Sequence, residues 1–111
     1  MKRLRIGIVG FDKVNALDLV GPAEAFANAQ VNDATGSLAS SYEVVMLGLT
    51  NARFVAESGI IFHPQTTLRA APRLDTIIIP GGAGLRRAST NLAVARWIAA
   101  QPEEAAATVR A

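Results

Sequence analysis

The chain has 111 residues, a mass of 11.6 kDa, 50% hydrophobic residues and a formal charge of +2 at pH 7. That is one globular domain at most, enough to bury a real core but short for a complete doubly wound sheet, and the small charge does not by itself imply nucleic acid. With no cysteine, these residues exclude a disulfide framework, a thiolate metal site and a cysteine nucleophile. The basic start, Met1 to Arg5, precedes an apolar run that ends at Gly10, too short for a signal segment or a membrane span, so a cytoplasmic location is expected.

In chain order, Leu4-Arg-Ile-Gly-Ile-Val-Gly10 is short, apolar and β-branched, and predicts a buried strand over 4–10. Leu19, Val20, Ala23, Phe26 and Ala27 follow helical spacing and predict a helix over about 18–30, with Asp18 at its positive end, Pro22 in its first turn and Phe26 facing the core. The small, polar stretch 32–41 has no period and reads as a loop. A second strand is expected over 43–49, and two short β segments around Ser58-Gly59 predict a hairpin over 54–63.

Thr66-Thr67 is positioned to cap a single helical turn before the next strand. Asp75-Thr-Ile-Ile-Ile-Pro-Gly-Gly-Ala-Gly84 then combines three consecutive isoleucines with a proline and three glycines. The isoleucines predict a strand over 75–80 covered on both faces, in the middle of a parallel sheet. The glycines let the chain turn sharply at its carboxyl end, where open α/β sheets place their ligands. A helix over about 91–101 follows, capped by Thr90 or Asn91, with Leu92, Ala95, a buried Trp97 and Ile98 on its apolar face. Pro102 ends it, 103–111 reads as another helical turn or two, and Val109 begins to enter the next strand. The whole predicts an α/β, flavodoxin-like parallel sheet with flanking helices and an accessory β-hairpin.

Several features invite chemistry. Gly7 and Gly10 are followed by Phe11 and Asp12, so the dinucleotide fingerprint is not present. Arg86-Arg87 beside the glycine loop either holds an anion or is simply solvated. His63, the only histidine, reads as surface structure, and neither a metal nor another cofactor is expected. Asp18 opens a helix after the first strand, so its loop and that of Gly81-Gly82 should face one crevice. As an ordinary first-turn acid Asp18 would contribute about 0.3–1 kcal/mol through the helix dipole; as a site residue it would face a ligand.

Asp18-Leu-Val-Gly-Pro-Ala-Glu24 after a Gly-Ile-Val-Gly-Phe strand, Glu57-Ser-Gly59 in a hairpin, and Ile-Ile-Ile-Pro-Gly-Gly-Ala-Gly84 together resemble the ThiJ/PfpI family of class I glutamine-amidotransferase-like domains. The resemblance runs from Arg5 to the last residue and makes 1–111 the N-terminal part of one such domain. It is closest to the amidase-like N-terminal domains of AraC-type transcriptional regulators, through Val14–Pro22 and Tyr42–Thr50, and next closest to isocyanide hydratases. It implies that an acid at Asp18 partners a cysteine on a sharp strand-to-helix turn, and that amides at Gly81 and Gly82, with Ala83 beside them, line an oxyanion pocket. Such donors stabilise a developing oxyanion by about 3 kcal/mol each.

The sequence departs from that pattern because the nucleophile turn would follow a strand beginning near Val109, and no cysteine occurs before it. The expectation is therefore a fragment, truncated before the nucleophile turn, with an unpaired sheet edge and no thiol-dependent activity of its own. The resemblance implies a small-molecule-sensing domain of a regulator that meets DNA only through a C-terminal region absent from this chain. The alternative is a fragment of an isocyanide hydratase or related cysteine-dependent amidase or hydrolase. A homodimer is the expected assembly, and no membrane partner is.

Overall fold

A computed structural model describes residues 3–32, 34–102 and 107–110. In chain order the elements are β1 (Leu4–Gly10), α1 (Ala16–Asn28), β2 (Gln30–Asn32), β3 (Leu38–Ser40), β4 (Tyr42–Gly48), β5 (Phe54–Val55), β6 (Ile61–Phe62), β7 (Thr66–Thr67), β8 (Thr76–Ile79), a 3-10 turn (Ala83–Arg86), α2 (Ala88–Ala99) and β9 (Ala107–Arg110). Five strands form one parallel sheet in the order β7-β4-β1-β8-β9, while β2-β3 and β5-β6 are separate antiparallel pairs. This is the expected flavodoxin-like α/β sheet with an accessory hairpin at β5-β6.

The strand at the centre is β1 rather than the isoleucine strand β8. β1 pairs along its whole length with β4, from Leu4↔Tyr42 to Gly10↔Gly48, and on its other side with β8 from Ile6↔Thr76 to Ile8↔Ile78. β9 covers the outer side of β8. Burial on both faces is the same for a central strand and its neighbour, so three isoleucines do not separate the two positions. Ile6, Ile8, Val9, Leu47, Ile77 and Leu74 are almost fully buried and form the heart of the core. A Cβ on Gly7 would lie 2.6 Å from Leu74 Cδ1, so the bare glycine is what admits Leu74 to the sheet surface.

The helices begin earlier than the apolar spacing indicates. α1 is capped by Asn15, whose Oδ1 accepts the Asp18 N–H at 3.1 Å; Asp18 lies in the first turn as expected, but Pro22 falls inside the helix. α2 starts at Ala88 with Arg87 as its N-cap residue and no side-chain capping bond, so neither Thr90 nor Asn91 is the cap. Asn91 instead donates from Nδ2 to the Leu85 carbonyl at 3.0 Å. Val94 is the buried residue of α2, whereas Leu92 and Ala95 are exposed and Trp97 and Ile98 are half-buried. Phe26 of α1 reaches the core edge and meets Tyr42 edge-on, with ring centroids 5.0 Å apart.

Three further expectations are corrected. The stretch 32–41 is not wholly irregular, because β3 pairs with β2 from Gln30↔Ser40 to Asn32↔Leu38, with Gly36 at φ 82 between them. β2 is exposed throughout, so no alternation of burial marks it in the sequence. Thr66-Thr67 forms the short edge strand β7, although Thr67 Oγ1 also accepts the Ala70 N–H at 3.1 Å and so caps the turn that follows. The helical reading of 103–106 lies outside the described residues; Ala107–Arg110 is a strand, as expected for Val109 alone. Among the described residues no helix is long and apolar enough to cross a membrane.

Candidate functional site

From β1 the chain moves to β4 on one side and later returns to β8 on the other. The carboxyl ends of β1 and β8 therefore form the point where strand order reverses, the place at which open α/β sheets take ligands. Two loops meet there. Phe11 to Asn15 leaves β1, with Phe11 and Val14 buried and Lys13 in the left-handed region at φ 65. Pro80 to Ala83 leaves β8, with Gly82 at φ 144 and ψ 157, a conformation essentially reserved for glycine.

Their contact is close. The Asn15 N–H donates to the Gly81 carbonyl at 2.9 Å, and the Gly84 N–H donates to the Lys13 carbonyl at 3.1 Å. A Cβ on Gly82 would lie 2.5 Å from the Lys13 oxygen and 2.6 Å from the Asn15 nitrogen, and one on Gly84 would strike the Asp12 carbonyl. Glycine is required here by approach as well as by dihedral angle.

The accessory hairpin is the third element of the site. The Lys13 N–H donates to the Val55 carbonyl at 2.7 Å, and the Glu57 N–H to the Val14 carbonyl at 2.9 Å. Asp12 Oδ1 accepts the Val55 N–H at 2.9 Å, which makes Asp12 a clasp between loop and hairpin. The Glu57 carboxylate bridges the other two loops, accepting the Ala83 N–H on Oε2 at 3.0 Å and the Asn15 side-chain amide on Oε1 at 3.5 Å. Asn15 is thus engaged through its backbone N–H, its Oδ1 and its Nδ2, joining helix, glycine loop and hairpin.

Asp18 and the glycine loop are brought to the same corner of the sheet through Asn15, but no hydrogen bond joins Asp18 to Gly81 or Gly82. In a capping box the third helical residue would reach back to the cap N–H. Here that N–H belongs to Gly81, and the half-buried Asp18 carboxylate has no hydrogen bond among the described residues. Ala83 commits its N–H to Glu57, whereas the Gly81 and Gly82 N–H groups have no partner among the described residues. An uncommitted carboxylate and two uncommitted backbone donors therefore remain at this corner of the sheet. His63, directly after β6, is exposed, and Arg86 and Arg87 are both exposed.

Asn15 and Glu57 were not among the predicted site residues. Asn15 carried a signal, since an asparagine three residues before an acid at a helix start is a capping pattern. Glu57 belongs to one of the stretches that carry the family resemblance, but nothing in the sequence shows its role, because its partners lie 42 and 26 residues away. A cavity of about 450 Å³ opens at the same end of the sheet, bordered by Gly10, Lys13, Arg53, Ala83 and Arg87 and not by Asp18.

No family model matches the chain. Among curated proteins it is 30% identical over 82 residues to an isonitrile hydratase of Pseudomonas putida, an alignment covering 74% of this chain and 32% of that protein. It is 28% identical over 81 residues to an uncharacterized protein in the cpoL 5′ region of Streptomyces lividans, covering 73% of this chain and 53% of that one. The chain therefore spans 32% and 53% of the lengths of these two relatives. Among solved structures, a ThiJ/PfpI family protein from Pseudomonas syringae superposes with a TM-score of 0.78 at 21% identity, over 99% of this chain and 42% of that one. A thiJ/pfpI family protein from Bacillus anthracis gives 0.78 at 12% identity over 99% and 51%. Drosophila melanogaster DJ-1beta gives 0.76 at 14% identity over 98% and 55%. The fold of this chain is that of the DJ-1/ThiJ/PfpI proteins.

Proposed function

We propose that these residues form two walls of a small-molecule site in a ThiJ/PfpI-like domain, with Asp18 as one wall and the Gly81-Gly82-Ala83 loop as the other. The observation that carries this is the diversion of the Asn15 N–H to the Gly81 carbonyl, which ties the walls together and leaves the Asp18 carboxylate uncommitted. Within 111 residues that contain no cysteine, the chemistry available to this corner is binding rather than thiolate attack. The resemblance of Val14–Pro22 and Tyr42–Thr50 to AraC-type regulators supports a cytoplasmic ligand sensor whose DNA contact is made by a helix-turn-helix outside these residues.

A complete regulator carrying Asp18→Ala should keep its basal promoter binding and lose the change in binding that ligand produces, as read by a gel-shift or fluorescence-anisotropy titration. An undiminished ligand response would remove Asp18 from the site. A second reading, hydration of an isonitrile or related substrate by a cysteine outside these residues, is favoured by the 30% identity to the Pseudomonas putida isonitrile hydratase. Turnover of an alkyl isonitrile by the complete protein, abolished by a thiol reagent, would give that reading precedence over sensing.

A further inference from the structure

A separate cleft lies at the same end of the sheet, with a volume of about 450 Å³, within the range of roughly 300–1,000 Å³ that small-molecule sites occupy. Three cations border it from three different segments: Lys13 from the loop after β1, Arg53 from the β4-β5 connection, and Arg87 from the start of α2. Among the described residues none of the three is ion-paired; the single salt bridge joins Arg5 to Glu43 at 3.2 Å, at the opposite end of the strands. Asp12 is the one carboxylate bordering the cleft and offsets one of the three charges, leaving an excess of two positive charges; its Oδ1 is held by the Val55 N–H.

Three like charges around one concavity repel one another, and their field is focused by its low-dielectric walls. A bound anion reverses that cost. The hydroxyl-bearing Thr50 and Thr90 also border the cleft, while buried Phe54 contributes an apolar wall. Phe54 is itself fixed: its ring fills the space a Cβ on Gly10 would take, and it stacks on Phe62 with centroids 5.5 Å apart.

We propose that this cleft binds a small organic anion, its carboxylate-type head held by Lys13, Arg53 and Arg87 and its apolar body against Phe54. Of the residues assigned to the Asp18 site only Ala83 borders this cleft, so the inference stands on its own residues. It also divides the arginine pair of the sequence, since Arg87 borders the cleft and Arg86 does not.

The test is an amide NMR titration of the purified protein with benzoate, and in parallel with neutral benzamide, at low ionic strength. Benzoate should produce saturable shifts centred on Gly10, Thr50, Gly84 and Thr90. Benzamide should leave those resonances in place. Losing one charge-assisted hydrogen bond weakens binding about tenfold or more, so Arg53→Gln and Arg87→Gln should each raise the benzoate Kd about tenfold. Both arginines are exposed, and unchanged amide spectra of the two variants would verify that each folds. Shifts that do not saturate, that benzamide reproduces, that centre on Asp18 and Gly81, or that persist unchanged in both variants would each overturn the proposal.

Discussion

Gly82 is the residue at which backbone conformation and crowding act together. Its φ of 144 and ψ of 157 place it where other residues are strained, and a Cβ would press on the Lys13 oxygen and the Asn15 nitrogen. Strain of that kind costs about 1–3 kcal/mol before any clash is counted. Gly82→Ala should therefore destabilise the protein by at least about 2 kcal/mol, read as a lower urea midpoint with an unchanged m-value. A variant as stable as the parent would show that the loop relaxes away from Asn15. Gly-Gly in the sequence foretold a sharp turn but not this contact, since the atoms it touches belong to a loop some 67 residues earlier. The contacts of Glu57 were hidden for the same reason: a carboxylate on a turn reads as solvated until the chain folds it against Asn15 and Ala83.

At the scale of elements, α1 carries a conflict between local preference and position. Pro22 sits in its interior, seven residues into the helix, and lacks the N–H that would bond the Asp18 carbonyl. A helix tolerates proline best in its first turn, so the sequence alone sets the start of this helix too late. The Asn15 cap pulls the start forward, and tertiary packing of Leu19, which is 1% exposed, holds the remainder. Pro22→Ala would restore the missing bond and should stabilise the protein by about 1–3 kcal/mol, measurable as a raised thermal midpoint. A fall in the midpoint would mean that the half-buried proline ring contributes more through packing than its missing N–H costs. The strands β1, β4 and β8 were legible because buried apolar runs are short and bounded by glycine or proline. β2 and β3 were not, because neither presents an apolar face to the core.

For the whole molecule, the two ends of the parallel sheet differ in kind. The carboxyl end gathers the glycine loop, Asp18, Glu57 and the cationic cleft. The amino end is a clasp: Arg5 N–H donates to Asp75 Oδ2 at 2.8 Å, and Asp75 N–H donates back to the Arg5 carbonyl at 2.8 Å. The Arg5 side chain extends the clasp by pairing with Glu43 at 3.2 Å and donating to the Arg73 carbonyl at 3.0 Å. This joins the starts of β1, β4 and β8, and it is invisible in a sequence where these residues are 38 to 70 positions apart. Asp75→Ala removes the acceptor of a partly buried backbone N–H, an omission that costs about 1–3 kcal/mol. The thermal midpoint should fall accordingly. Because the substitution lies at the far end of the strands from Asp18 and Arg53, the benzoate titration and the ligand response should be unchanged at temperatures well below that midpoint. Loss of either response in a variant that is still folded would mean that the sheet transmits register between its ends, and that the clasp sets the geometry of the site as well as its stability.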